Sequence, residues 1–115
     1  MSTFAQLGKP LRFGSLLLIP GTLTGNLLVP LVDEWTDIYT IVVTTNDTAV
    51  LQVTISDGTT SIVYFVGGST SNPPVLDQGS TPIRFRKGAT IVATASAITA
   101  AKSVAINVRG LSSKT

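Results

Sequence analysis

Histidine and cysteine are absent from this 115-residue chain, which carries only eight Lys or Arg and six Asp or Glu side chains. His supplies the commonest general base and metal ligand, and Cys supplies thiolate nucleophiles and soft metal sites. Their absence excludes a disulfide framework and most catalytic constellations. The sequence therefore predicts a protein that is not an enzyme and that has no catalytic residue, no cofactor and no metal site.

Long apolar runs are also missing, although 43% of the residues are hydrophobic and the mean hydropathy is +0.43. No run approaches the roughly 18 residues of a membrane span, and Leu16–Pro20 is too short for the core of a signal peptide. We expect no membrane partner and no secretion signal. One small domain cannot hide so much apolar surface, which favours a homo-oligomer over a merely dense core.

Strand patterns dominate from Ile38 to Arg109. Apolar and polar residues alternate over Ala49–Ser56, Thr90–Ser96 and Ser103–Arg109, which indicates half-buried strands. The dipeptides Asp57-Gly58 and Lys87-Gly88 predict turns. Regular strands with such turns between them indicate an all-β sandwich or barrel, and helix is nearly excluded.

The first 37 residues contain prolines, glycines and apolar runs without a helical period. Residues 15–32 are expected to supply two edge strands, where Pro is tolerated, or else an arm that adds to a neighbouring copy. We expect residues 1–14 to form an extended N-terminal arm, 15–110 the β-sandwich domain and 111–115 a C-terminal tail.

Charge is distributed unevenly along the chain. Residues 1–57 carry a net charge of −3 and residues 58–115 a net charge of +5. This asymmetry could set the register between copies, but strands from both halves of an antiparallel fold interleave, which would remove it.

The segment 33–37 is the one carboxylate cluster, with Asp33, Glu34 and Asp37 around Trp35. It could ligate Ca²⁺ or act as an acid–base pair, but its spacing matches no EF-hand loop and no second cluster completes a site. A solvated connection in which Trp35 packs as an anchor is favoured. Trp35 could also stack on a sugar if it is exposed.

Arg84, Arg86 and Lys87 are the densest basic patch, and Arg84 and Arg86 share one strand face opposite Phe85. This patch could meet phosphates, contact another subunit or keep a sheet edge soluble. The total of eight basic residues is too low, and the aromatics too few, to favour specific nucleic-acid binding.

Three segments resemble small β-sandwich virion proteins of tailed bacteriophages, of the head decoration, cement or minor capsid type. They are Val50–Val66 with Asp57-Gly58-Thr59, the run from Arg86 to Ala93, and Val104–Gly110. The resemblance as a whole covers roughly residues 38–110. It implies an antiparallel β-sandwich of jelly-roll or other Greek-key type.

The same resemblance implies a virion location and a non-enzymatic protein, often trimeric, that binds across capsid subunits and stabilises them. The expected partners are the major capsid protein, other virion proteins and copies of the chain itself. The residues expected to contact partners are Phe4, Leu7, Arg12, Trp35, Arg84, Arg86 and Lys87. The alternative is a receptor- or carbohydrate-binding module of a phage tail or fibre.

Overall fold

The computed structural model describes residues 11–68 and 75–114. Within these ranges the secondary structure consists of eight strands, and no helix is long and apolar enough to cross a membrane. The strands are β1 (Leu11–Leu18), β2 (Thr24–Leu28), β3 (Trp35–Thr45), β4 (Leu51–Ser56), β5 (Ser61–Val66), β6 (Val75–Phe85), β7 (Ile91–Ala95) and β8 (Val104–Ser113).

The strands form two four-stranded antiparallel sheets. The first sheet has the order β1-β8-β3-β6 and the second has the order β2-β7-β4-β5. Only the β4–β5 connection stays within one sheet, and every other connection crosses to the opposite sheet. Eight strands in this order form a jelly roll built from two Greek keys. The prediction of an antiparallel β-sandwich is confirmed.

The core lies between the two sheets and is filled by alternate side chains. On β4, Leu51, Val53 and Ile55 are buried, whereas Gln52 and Thr54 are partly exposed. The inward positions that the alternation predicts on the last two strands are buried as well: Ile91, Ala93, Ala95, Val104, Ile106 and Val108. Burial of each large aliphatic side chain stabilises the fold by about 1.5–3 kcal/mol.

The N-terminal part of the described chain supplies two edge strands, β1 in the first sheet and β2 in the second. The two edges close one side of the sandwich, because a Cβ atom on Gly14 of β1 would lie 2.5 Å from the carbonyl oxygen of Leu27 in β2. Pro20 and Pro30 follow these strands in the connections, where no ladder hydrogen bond is lost.

The strand boundaries differ from the expected ones at both ends of the chain. Residues 11–14 belong to β1 rather than to an arm, and β8 continues through Ser113 rather than ending at Gly110. Gly110 does not terminate the strand, because it lies where β8 passes close to β3: a Cβ atom there would meet the carbonyl oxygen of Asp37. The rest of the expected arm, residues 1–10, lies outside the described residues, as do Phe4 and Leu7.

The β7–β8 connection contains a turn that glycine would fit better than the residue present. Ala101 has a φ of 65°, and the N–H of Lys102 donates to the carbonyl oxygen of Thr99 at 3.0 Å. Ala101 is the third residue of this turn, and a positive φ there defines a type II turn. A residue with a Cβ atom is strained in this conformation.

Replacing Ala101 with Gly is expected to raise the free energy of unfolding by about 1 kcal/mol, because strain is relieved by more than the added freedom of the unfolded chain costs. Urea denaturation measures the change. Ala100→Gly is the matched control, since Ala100 has a negative φ; it should lower the stability slightly. A destabilised Ala101→Gly variant would contradict the turn assignment.

Candidate functional site

One end of the sandwich gathers five of the seven residues expected to contact partners. The β2–β3, β4–β5 and β6–β7 connections meet there, together with the start of β1 and the end of β8. We call this the basic end, defined by its cations Arg12, Arg84, Arg86, Lys87 and Lys114. Trp35, the first residue of β3, lies at the same end.

Glu34 connects four parts of the basic end. Its buried carboxylate accepts hydrogen bonds from Arg12 Nη2 at 3.1 and 3.4 Å, from the N–H of Leu31 at 3.1 Å and from the hydroxyl of Ser112 at 3.0 Å. Its main-chain oxygen accepts from the N–H of Gly88 at 2.8 Å. Glu34 therefore holds the β2–β3 connection against β1, β8 and the β6–β7 connection.

Asp37 forms the second node of the basic end. Its carboxylate accepts two hydrogen bonds from Arg84, at 2.7 Å from Nε and 2.9 Å from Nη2, across neighbouring strands. The guanidinium of Arg84 also lies 5.0 Å from the centre of the Trp35 ring. This paired arrangement is the strong form of an Arg–carboxylate contact, and the ring adds a cation–π contact.

The interpretation of segment 33–37 as a solvated connection is wrong for two of its three acids. Glu34 and Asp37 are buried, and they are paired with Arg12 of β1 and Arg84 of β6, while Asp33 makes an exposed pair with Lys114 at 3.3 Å. Trp35 is partly buried, and the guanidinium of Arg84 lies over its ring. The pairs Arg84–Asp37 and Lys114–Asp33 join the acidic and the basic halves of the sequence, so the two halves interleave.

Asp57 anchors the β4–β5 hairpin to the β6–β7 connection. Its Oδ1 accepts from the N–H groups of Thr59 at 2.8 Å and Thr60 at 2.6 Å, and its Oδ2 accepts from the N–H of Arg86. The side chain of Arg86 donates to the main-chain oxygen of Asp57 at 3.3 Å. Both the main chain and the side chain of Arg86 are thus bonded to Asp57, although the residue is exposed.

Asp47 likewise anchors one connection to another at the opposite end of the sandwich. It accepts from the N–H of Ala49 at 3.0 Å, and from the N–H and hydroxyl of Thr99 at 2.7 and 2.8 Å. These hydrogen bonds hold the β3–β4 connection against the β7–β8 connection. Each end of the jelly roll is therefore held by at least one buried carboxylate.

The pKa values of Glu34, Asp47 and Asp57 are all lowered from their ordinary values. Burial acts to raise the pKa of Glu34 and of Asp57, but hydrogen bonds from Leu31 and Arg86, among others, outweigh it. For Asp47 the N–H of Thr99 is the largest cause of the lowered pKa. The pKa of Arg84 is raised, chiefly by its hydrogen bonds to Asp37. All four groups are stabilised in their charged forms.

The outermost part of the basic end combines apolar and cationic side chains. Val29, Leu31 and Val32 of the β2–β3 connection are exposed, and Val32 is 88% accessible. The connection packs against the Lys87-Gly88 turn, since a Cβ atom on Gly88 would meet the main-chain oxygen of Val32. An apolar loop beside Lys87 suits contact with a protein surface that is apolar at its centre and acidic at its rim.

The sequence shows the cluster of Arg84, Arg86 and Lys87, but it does not show the exposure of the apolar loop or the partners of the acids, and Arg86 lies beyond the end of β6 rather than on its face. Arg84 and Asp37 are separated by 47 positions, and only the β3–β6 pairing brings them together. Three hydrophobic residues between Leu28 and Asp33 were the available signal for an exposed loop, because Pro30 excludes a continuous buried strand there. Among residues 11–68 and 75–114, no three acidic side chains come together as a metal site.

Comparisons with known proteins match the fold and not the sequence. No known protein family and no curated protein sequence matches the chain. A chain in the acidic stable capsid structure of Helicobacter pylori bacteriophage KHP30 aligns with a TM-score of 0.59 at 10% identity, over 93% of this chain and 89% of that one. A chain in the cyanophage Pam1 capsid asymmetric unit aligns with a TM-score of 0.52 at 16% identity, over 90% and 84% of the two chains. These likenesses establish a shared jelly-roll fold.

Acidification is expected to destabilise the protein. A pKa lowered in the folded state means that the unfolded chain binds protons more tightly, so these carboxylates stabilise the fold above their ordinary pKa of about 4. That contribution is lost as the pH falls through the lowered folded-state values. With no histidine to titrate, the stability should change little between about pH 6 and 8. Urea denaturation from pH 8 to pH 2 measures the profile.

Asp57→Asn should show a smaller loss of stability on acidification than the wild type, together with a lower stability at pH 7. The matched control is Asp33→Asn, whose exposed pair with Lys114 should contribute little. A wild-type protein equally stable at pH 7 and pH 3 would contradict the anchoring role of the carboxylates.

Alanine substitutions of Arg84 and Lys87 should distinguish a cation that stabilises the fold from one that is exposed and contributes little to stability. Arg84→Ala leaves the buried carboxylate of Asp37 without its arginine and should cost about 1–2 kcal/mol, less than the roughly 3–5 of a fully buried pair, because the Arg84 side chain is 42% exposed. Lys87→Ala should change the stability by less than about 0.5 kcal/mol. Thermal denaturation of both variants checks this, and equal effects would show that Arg84 is not a structural residue.

Proposed function

We propose that the chain is a non-enzymatic structural protein of a virus particle. The observation that carries this proposal is the jelly roll itself, shared over 93% and 90% of the chain with chains from two bacteriophage capsid structures. Jelly rolls also occur in lectins and cupins, so the fold does not decide the function alone. The surface of this chain supports the structural role.

Two surface properties favour assembly over chemistry. The buried carboxylates of Glu34, Asp47 and Asp57 each accept several hydrogen bonds, so none is poised as a general base. Large apolar side chains are exposed instead, including Phe13, Leu17, Val29, Leu31, Val32, Val50 and Phe65. Exposed apolar patches mark interaction surfaces.

We propose further that the protein decorates or cements a capsid, binding across neighbouring shell subunits with its basic end. Lys87, Arg86 and the exposed loop at Val32 would form this contact, with acidic rims on the shell subunits as partners. Arg12, Arg84 and Trp35 position the surface through contacts within the chain. The bacteriophage resemblance of the sequence favours a trimer, with residues 1–10, including Phe4 and Leu7, as an arm on a neighbour.

A carbohydrate-binding module is the less favoured function. A sugar-stacking platform needs a free aromatic face beside polar groups. The ring of Trp35 is only partly exposed and has the guanidinium of Arg84 over it. This arrangement supports a role for Trp35 in packing against Arg84 rather than against a sugar.

The test uses capsid shells of the virus that encodes the chain, prepared without it and then mixed with the purified protein. The wild type should bind the shells at regular positions seen by cryo-electron microscopy and should raise the temperature at which they break. Shells that neither bind the protein nor gain stability would contradict the cement function.

The double variant Arg86→Gln with Lys87→Glu should fold, since both side chains are exposed and a glutamine puts no second carboxylate beside Asp57, to which Arg86 donates. It should bind the shells at least tenfold more weakly. The matched control is Lys102→Glu, a cation of the β7–β8 connection at the opposite end, which should bind like the wild type. Equal binding by the double variant would place the shell contact elsewhere on the molecule.

A further inference from the structure

The second sheet contains no charged residue. None of β2, β7, β4 and β5 includes Asp, Glu, Lys or Arg, whereas the first sheet includes Arg12, Asp37, Arg84 and Arg109. The outward positions of the second sheet are occupied by hydroxyl, amide and apolar side chains. One row across it pairs Thr24 with Thr94, Thr94 with Thr54, and Thr54 with Val63.

Edge strands of soluble proteins are normally protected by charges, prolines, bulges or covering elements. Three of the four edges here have such protection. The edges of β1 and β2 lie against each other at Gly14 and Leu27, and β2 also has a register shift between Asn26 and Leu28. The edge strand β6 contains Pro82 and ends beside the cation Arg84.

Among the residues that the structure describes, none of these devices is found at the edge of β5. Its six residues, Ser61–Val66, include no proline, glycine or charge, and they pair with β4 in a continuous register without a bulge. No described strand lies on its other side. Val63 and Phe65 face outward from this strand and are 43% and 66% exposed. Its outer edge, at Val63 and Phe65, therefore has an apolar stripe and no pairing with any strand of the described residues.

We propose that β5 pairs antiparallel with β5 of a second copy about a twofold axis, which joins the second sheets of the two copies into one eight-stranded sheet. An axis perpendicular to the sheet keeps the outer faces on the same side, so the Val63–Phe65 stripes of the two copies become neighbours. Aromatic and β-branched side chains on adjacent strands stabilise such pairs.

The chemistry of the strand selects a second copy as the occupant. In an antiparallel pairing about a twofold axis, residues near the centre of the strand lie beside their own duplicates, where like charges would repel, and β5 carries no charge there or elsewhere. The absence of any charge on β5 also leaves nothing with which to recognise an acidic or basic partner. Main-chain hydrogen bonds supply the affinity, as in other strand additions.

The contact is small. Two strands of six residues cover far less than the roughly 1,600 Å² of a standard stable interface. The isolated protein should therefore dimerise reversibly and only at high concentration, while many such contacts would act together in a larger assembly. This inference concerns the free protein and does not depend on the proposed virion role.

Sedimentation velocity over a range of concentrations up to the millimolar level tests the proposal, with circular dichroism to confirm folding. The wild type should show a concentration-dependent dimer, and Phe65→Lys should raise its dissociation constant at least tenfold. Leu17→Lys is the matched control: Leu17 is 60% exposed and lies on the first sheet, so the variant should dimerise like the wild type. A monomeric wild type, an unaffected Phe65→Lys variant or an equally impaired Leu17→Lys variant would overturn the proposal.

Cross-linking gives a second measurement, because the chain has no native cysteine. Val63→Cys should form a covalent dimer with a short bis-maleimide at concentrations where Thr24→Cys does not, since Thr24 lies on the opposite edge of the same sheet. Equal yields from the two variants would also overturn the proposal. Failure of either measurement would leave shell binding by the basic end intact, because that contact involves a different surface.

Discussion

The structure depends on buried carboxylates that hold connections between strands. In this jelly roll six of the seven connections cross from one sheet to the other, and no helix in the described residues covers them. Glu34 and Asp57 anchor the connections at the basic end, and Asp47 anchors those at the opposite end. Each accepts hydrogen bonds from main-chain N–H groups that water or nothing would otherwise satisfy. A small number of charges therefore holds both ends of the sandwich.

This arrangement explains why so few charges suffice. The buried acids are stabilised in their ionised forms by several donors each, so they tolerate burial that an isolated carboxylate would not. Arg12 and Arg84 are tied to Glu34 and Asp37 in turn. Of the cations at the basic end, Lys87 is exposed, and Arg86 is exposed but also donates to the main-chain oxygen of Asp57. The chain thus separates charges that build the fold from charges that are available to a partner.

The fold could be predicted from the sequence wherever a local rule decides the structure. Period-two alternation identifies β4, β7 and most of β8, and Asp57-Gly58 identifies the β4–β5 hairpin. Boundaries that depend on distant partners could not be predicted. A glycine such as Gly110 usually indicates the end of a strand. Here it lies inside β8, because the main chain of Asp37 in β3 approaches too closely for a Cβ atom. Asp37 disfavours a strand by its own propensity, yet Arg84 on the paired strand neutralises it.

The candidate site divides in the same way. Clustering of Arg84, Arg86 and Lys87 is visible in the sequence, because they are adjacent. Their different roles are not, because Asp37 and Asp57 come from other strands. The Val29–Val32 loop has hydrophobicity typical of a strand, Pro30 argues against a continuous one, and the fold shows that Val29, Leu31 and Val32 are exposed.

The absence of histidine and cysteine is best understood together with the positions of the buried acids. Groups that could titrate or react near neutral pH are missing, and the buried acids whose pKa values are lowered are saturated with donors. What the molecule still offers to others is an apolar loop with two cations at one end and a bare strand edge on its uncharged sheet. We propose both as surfaces for protein contact, and they lie on different parts of the sandwich. As proposed, one would bind a shell and the other a second copy of the chain, which a single patch could not do.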